Sequence, residues 1–252
     1  FFLARDPASG PYEPKLADGD RVLALTQALS TDDMRGRETE TPDAAAARAL
    51  IKEKFVSARL QASQHASAHA YIPGPHDDPA GQREGSNLIG RIDGKSPDDP
   101  VMVVSAHYDH LPVDGDDIYN GADDNASGIA AIMEMAQYLT EKTRSGELEL
   151  KRDILFAGWS GEEVGLWGSR AFVREEREET DREVYPGVAA YLNLDMVGRA
   201  SNSGLTLNGT ASSGDWKAML DSIPEPEGMD IKRSPSPYIP SDGSSFYLAG
   251  VP

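Results

Sequence analysis

Short apolar runs alternate with amphipathic stretches along the second half of the chain. Val101 to Ala106 is apolar except at Ser105 and β-branched at Val101, Val103 and Val104. That composition suits a strand buried on both faces of a parallel sheet. Ile154-Leu-Phe-Ala157, inside Arg152–Trp159, is a second such run, Val188–Leu194 a third, and Leu205–Asn208 a shorter fourth. Between and after them come helical patterns. Gly128–Leu139 sets Ile129, Ile132, Met133, Ala136 and Leu139 on one face, with its Met residues read as core. Leu166–Glu176, Asp215–Ile223 and Ser244–Ala249 are the other expected helices.

The first half is less regular. Asp20–Leu29 is mildly helical, and Ser30–Arg37 reads as a turn. Thr41-Pro42-Asp43 opens a helix: Thr41 can cap it, Pro42 suits its first turn and Asp43 favours its positive end. Ala47, Leu50, Ile51, Phe55 and Ala58 follow at helical spacing. Asn87–Ile92 alternates as a strand does, Pro73–Glu84 reads as a polar loop and Glu141–Lys151 as a charged connection. Strands followed by helices predict an α/β fold, a three-layer α/β/α sandwich around a mostly parallel central sheet. Phe1–Asp20, aperiodic and Pro/Gly-containing, is an expected arm or linker, which leaves residues 21–252 as one catalytic-sized domain.

Chemistry collects where the strands end. The first run leads into His107-Tyr-Asp109-His110, and the loop beyond it returns Asp123-Asp124 just before the Gly128 helix. The second ends at Ser160-Gly161-Glu162-Glu163 and the third at Asp195. Open α/β sheets bind ligands outside the carboxyl ends of their strands. Taken singly, the Asp/Gly-rich loop is also good turn chemistry, and Glu162-Glu163 could simply open a helix. Together, His107, Asp124, Glu163 and Asp195 supply a nitrogen and several oxygens, a set that suits zinc, with manganese or cobalt as substitutes. One carboxylate can bridge two ions, and of two adjacent Glu residues one can ligate while the other serves as general base. His65 and His69 sit four apart without an acid between them and read as solvated surface; His110 reads as a loop residue.

Composition narrows the partners. The chain has 252 residues and a formal charge of −18, which disfavours nucleic acid and anionic membranes. It has no Cys, so thiolate ligands and disulfides are excluded. No apolar run approaches the length of a membrane span, and no signal peptide is visible. The ends, Phe1-Phe2 and Gly250-Val251-Pro252, read as cut.

His107-Tyr-Asp109, Gly121-Ala-Asp-Asp124-Asn-Ala-Ser-Gly128, Trp159-Ser-Gly-Glu162-Glu163 with Gly165 and Gly168-Ser, and Asn193-Leu-Asp195-Met-Val-Gly198 resemble the co-catalytic di-zinc aminopeptidase family. That family includes secreted bacterial leucine-type aminopeptidases and has glutamate carboxypeptidases and glutaminyl cyclases as relatives. The resemblance covers about Ser86 to Pro252 in order and spacing, and the earlier part, including Met34-Arg-Gly-Arg37 and the helix after Thr41, also looks like the lead-in of bacterial members. It implies an aminopeptidase acting on peptides with a free amino terminus, with two zinc ions in the intact enzyme. His107 and Asp195 would hold one ion, Asp124 would bridge both and Glu163 would hold the second. Glu162 would be the general base for a water held as hydroxide. It also implies a cis peptide at Asp124–Asn125, and Asp109 orienting His107. Tyr238 would lie near the oxyanion, and Asp242 would be a pocket residue or a helix N-cap. The family's fifth ligand, a His from a later loop, has no counterpart here, since no His follows His110. Truncation at the carboxyl end is therefore expected, with one ion held weakly and little activity. The resemblance further implies a periplasmic or extracellular location. The alternatives are a single-zinc glutaminyl cyclase-like acyltransferase and a metal-less binding module on the same scaffold.

Overall fold

The computed structural model describes residues 18–62, 70–73, 82–96, 98–180, 184–200, 204–226 and 228–252. In chain order the elements are α1 (Gly19–Leu29), a 3-10 turn (Asp32–Arg37), α2 (Pro42–Ser57), β1 (Gln61–Ala62), β2 (Ala70–Pro73), β3 (Gln82–Gly85), β4 (Leu88–Ile92) and β5 (Val101–His107). A π turn (Ala122–Ser127), α3 (Gly128–Ser145), β6 (Ile154–Trp159), α4 (Trp167–Thr180), α5 (Val184–Gly187) and β7 (Val188–Asn193) follow. The chain continues through β8 (Leu205–Leu207), α6 (Gly214–Asp221), β9 (Ile231–Arg233) and α7 (Gly243–Leu248).

The central sheet has the order β1-β4-β6-β5-β7. β5 runs parallel to both β6 and β7, and β4 is antiparallel to β6 and to β1. The alternation of side chains along each strand divides the core. Val104, Ala106, Ile154 and Phe156 face a cluster that includes Leu29, Ala47, Ile51 and Phe55 with Ile129, Ile132 and Met133 of α3. Val101, Val103, Leu155, Ala157 and Trp159 face the other way, onto Phe172 of α4 and Phe246 of α7. Helices thus cover both faces, which explains why these strands are apolar throughout. The three-layer, mostly parallel architecture is as expected.

The helix starts follow local chemistry. The Thr41 hydroxyl accepts from the Ala44 N–H at 3.1 Å, with Pro42 in the first turn. Asp18 caps α1 through Asp20 and Arg21.

Several boundaries differ from the expected ones. α3 continues to Ser145, well into the stretch read as a connection, with Thr140 still buried. β8 stands apart from the central sheet, pairing in parallel with β9 as a separate two-stranded unit. Gln82–Gly85, read as polar loop, pairs with β2. His65, His69 and His76 lie outside the described residues.

Candidate active site

β5, β6 and β7 end side by side, and their chain continuations converge. His107, the last residue of β5, is buried. Its Nε2 lies 3.2 Å from Asp124 Oδ1 and 3.5 Å from Asp195 Oδ1. Its Nδ1 lies 3.1 Å from the Asp109 carbonyl and 3.7 Å from that residue's carboxylate. The ring is therefore oriented chiefly by the main chain of Asp109. Burial works against a charged His107, but hydrogen bonds to Asp109, Asp124 and Asp195 outweigh it and hold its pKa well above the ordinary value. Asp124 is correspondingly depressed, first by His107.

The Asp109 carboxylate serves the neighbouring turn instead. It accepts from the Glu162 N–H at 3.2 Å, the Glu163 N–H at 3.4 Å and the Thr39 hydroxyl at 3.0 Å. These bonds pin the turn after β6 against the end of β5. Asn87 closes the far side of that turn, donating to Gly168 O and accepting from Ser160 N.

His110 departs most from its expected role. Its Nδ1 lies 2.7 Å from Glu163 Oε1 and 3.9 Å from Asp124 Oδ2. Among the described residues three groups of ligand-capable side chains result, His107 with Asp124 and Asp195, His110 with Asp124 and Glu163, and His107 with Glu162 and Glu163; in each the donor atoms lie within 4.8 Å of one another. Asp124 belongs to the first two. The peptide between Asp124 and Asn125 is cis.

Glu162 sits beside those two groups, within ligand reach of His107 and Glu163. Burial, reinforced by Asp242, Asp195 and Glu163 against the opposing pull of His107, pushes its carboxyl up to about 8. Asp242 is fully buried at the start of α7, and neither of its oxygens meets a donor in hydrogen-bonding geometry. Burial pushes it up to about 7, with His107 and Ser169 pulling the other way; the Ser169 hydroxyl itself pairs with Ser245 at 2.9 Å. Asp242 occupies the N-cap position of α7, but its side chain makes no capping bond, because its backbone is already helical (φ −52°, ψ −27°). Tyr238 is 70% exposed and meets Tyr247 edge-on at 5.2 Å. Its neighbour Ile239, with Leu207, Trp216 and Tyr247, lines a cavity of about 240 Å³ that reaches Asp195.

Bracing residues escaped the sequence reading because their neighbours are distant in the chain. Asn125 donates to Leu194 O at 2.9 Å and accepts from Gly128 N and Met196 N, fixing the loop of Asp195. Asp123 accepts from Gly198 N at 2.8 Å. A Cβ at Gly128 would stand 2.4 Å from Leu194 O, so only glycine lets the α3 start meet this loop.

The family model described as "Peptidase family M28" matches residues 87–252. The chain belongs to peptidase family M28. Within the family's wider kin, it is 32% identical over 170 residues to the Mycobacterium tuberculosis "Probable lipoprotein aminopeptidase LpqL", covering 60% of this chain and 30% of that protein. It is 30% identical over 162 residues to leucine aminopeptidase 2 of Trichophyton rubrum, covering 60% of this chain and 29% of that one. The chain thus spans about a third of the length of these curated relatives. Among solved structures, the zinc aminopeptidase BSAP of Bacillus subtilis superposes with a TM-score of 0.70 at 17% identity over 95% of this chain and 84% of that one. An Acidobacteriales glutaminyl cyclase superposes with 0.69 at 22% identity over 98% and 82%. At these identities both show the shared fold.

Proposed function

We propose that this M28 chain carries the catalytic centre of a zinc-dependent aminopeptidase. The carrying observation is the pair of three-residue ligand groups that share Asp124, with Glu162 beside them. The donor set fits zinc: imidazole nitrogens and carboxylate oxygens, with three protein side chains for each ion. The site is also crowded with acid, since Asp124, Asp195, Glu162 and Glu163 all lie around His107, and a cation there would balance that charge. His107 and Asp195 would hold one ion, Glu163 and His110 the other, and Asp124 both. When bound, zinc supplies Lewis acidity toward a scissile carbonyl and toward water.

The chain's own groups then divide the work. Glu162, not needed as a ligand, takes the proton of the attacking water and returns it to the leaving amine. Asp109 keeps the Glu162-Glu163 turn in register through its two N–H bonds. The cavity beside Asp195 offers the substrate's first side chain an apolar wall. Asp242, buried at the start of α7, acts electrostatically on Glu162. Tyr238, exposed on the loop before α7 and set edge-on to Tyr247, has no part in this reading.

Similarity to a protein named a lipoprotein aminopeptidase favours a location outside the cytoplasm. The test of the activity is release of the first residue from aminoacyl-p-nitroanilides and short peptides, with chelator and with zinc restored. Chelator-sensitive amine release supports the proposal; cyclisation of N-terminal glutamine without amine release from other substrates would replace it by the cyclase reading. No hydrolysis with zinc bound would overturn it.

A further inference from the structure

The segment before the family-matched residues 87–252 reaches into this site. Its turn is unusual: Arg35, Gly36, Arg37 and Glu40 all have positive φ, at 44°, 81°, 62° and 74°. At Gly36 no side chain fits, since a Cβ would stand 2.2 Å from Leu111 O. A turn with three non-glycine residues in the left-handed region is costly and persists where surrounding contacts over-determine it.

Those contacts centre on Arg37, whose side chain is fully buried. Its guanidinium donates to backbone carbonyls: Nε to Tyr108 O at 2.9 Å, Nη1 to Asn120 O at 2.7 Å and to Leu29 O, and Nη2 to Gly121 O at 2.9 Å. Only the Leu29 bond does the ordinary job of closing a helix end. The others go to the residue after His107 and to the start of the loop that delivers Asp124. Two residues on, Thr39 donates to Asp109, the carboxylate that holds the Glu162-Glu163 turn. One short turn therefore bonds directly to the segment after β5 and to the start of the Asp124 loop, and reaches the Glu162-Glu163 turn through Asp109.

We propose that Arg37 and Thr39 are positioning residues of the catalytic centre, a clamp that holds the His107–His110 segment, the Asp124 loop and the Glu162-Glu163 turn at ion-binding spacing. The planar guanidinium suits this task because its fork of donors is rigid, whereas a lysine presents a compact point charge. The positive charge also lies among Asp109, Asp124 and Glu163, each of which acts on it electrostatically, and so eases their mutual repulsion. The clamp rests on the two-cation reading of the site, but the readouts that decide it, cobalt binding and hydrogen exchange, do not need peptidase activity.

The test compares Arg37→Lys and Thr39→Val with the parental chain. Folding is checked by far-UV circular dichroism and a cooperative melt. Each folded variant should bind cobalt(II) about tenfold or more weakly in chelator competition, the usual scale for removing a ligand's supporting bond. The cobalt absorption bands should shift, and kcat should fall by about as much while KM moves less than about threefold. Hydrogen exchange should rise over residues 105–126 while β6 stays protected. A folded variant with parental cobalt affinity, bands and exchange overturns the proposal. If neither variant folds, the turn is a folding element and the positioning role is wrong. If the parental chain binds no cobalt, the two-cation reading fails, and exchange over residues 105–126 alone decides the clamp.

Discussion

His110 Nδ1 and Glu163 Oε1 lie 2.7 Å apart although the two residues are separated by 53 positions. Donors around a tetrahedral ion with bonds near 2.0–2.2 Å stand about 3.3 Å apart. The pair is therefore slightly closed, bridged by the His110 proton, and an ion must displace that proton and widen it. Replacing His110 by Ala should leave one cobalt or zinc bound with parental affinity and weaken the second by about tenfold or more. Elemental counting after dialysis against graded chelator reads this. Two ions retained at parental affinity would return His110 to the role of a loop residue.

Glu162→Gln should keep the metal content and lose peptidase turnover by roughly 10²–10⁴-fold, because the amide keeps the shape but cannot take a proton. Glu163→Gln should do the reverse first, releasing an ion. A Glu162→Gln enzyme with near-parental kcat would move the base elsewhere.

The metal-free chain should lose stability as pH rises from about 5 to 8. Glu162 is pushed up to about 8 and Asp242 to about 7 by burial, whereas in the unfolded chain both release their protons near pH 4. In that window the folded form binds more protons than the unfolded form, so stability falls with pH. His107, also raised, adds the same sign above its ordinary value. Melting temperatures in chelator should therefore decline across the range, and the slope should shrink in a Glu162→Gln, Asp242→Asn double variant. A flat or rising profile would mean that these groups are not buried as described.

Gly128→Ala should cost about 1–3 kcal/mol, the usual penalty of forcing a methyl into a packed site. The added carbon would meet Leu194 O at 2.4 Å and Asn125 Oδ1 at 2.3 Å. Since those atoms fix the Asp195 loop, affinity for one ion should fall with stability. An unchanged melting temperature would show that the α3 start can recede.

The strands were legible because burial on both faces writes itself as a nearly unbroken apolar run, as at Val101–Ala106, broken only at Ser105, and Ile154–Ala157. The candidate site residues at their ends stood out through motif order, and the fold brings their side chains together. What distance in sequence hides is partnership. Nothing in the text of the chain ties Thr39 to Asp109, Arg37 to Gly121 or His110 to Glu163, since each pair forms only once the sheet brings its loops together. The β8–β9 pairing was hidden for another reason: strands of three residues carry too little pattern to separate from loop. Asp242 looked like a helix cap by residue type and position, and only its helical backbone angles and full burial set it apart.

The cavity beside Asp195 is walled mainly by residues from Thr206 to Leu220 and from Pro237 to Pro252, later in the chain than His107, Asp124 and the Glu162-Glu163 turn. The groups proposed for chemistry and the surface that would greet a substrate thus occupy largely separate text. Randomising Leu207, Trp216, Leu220 and Ile239 while leaving residues 107–195 untouched offers a route to new selectivity on an unaltered reaction centre. It also gives lineages sharing this scaffold a way to diverge in diet without reinventing the chemistry.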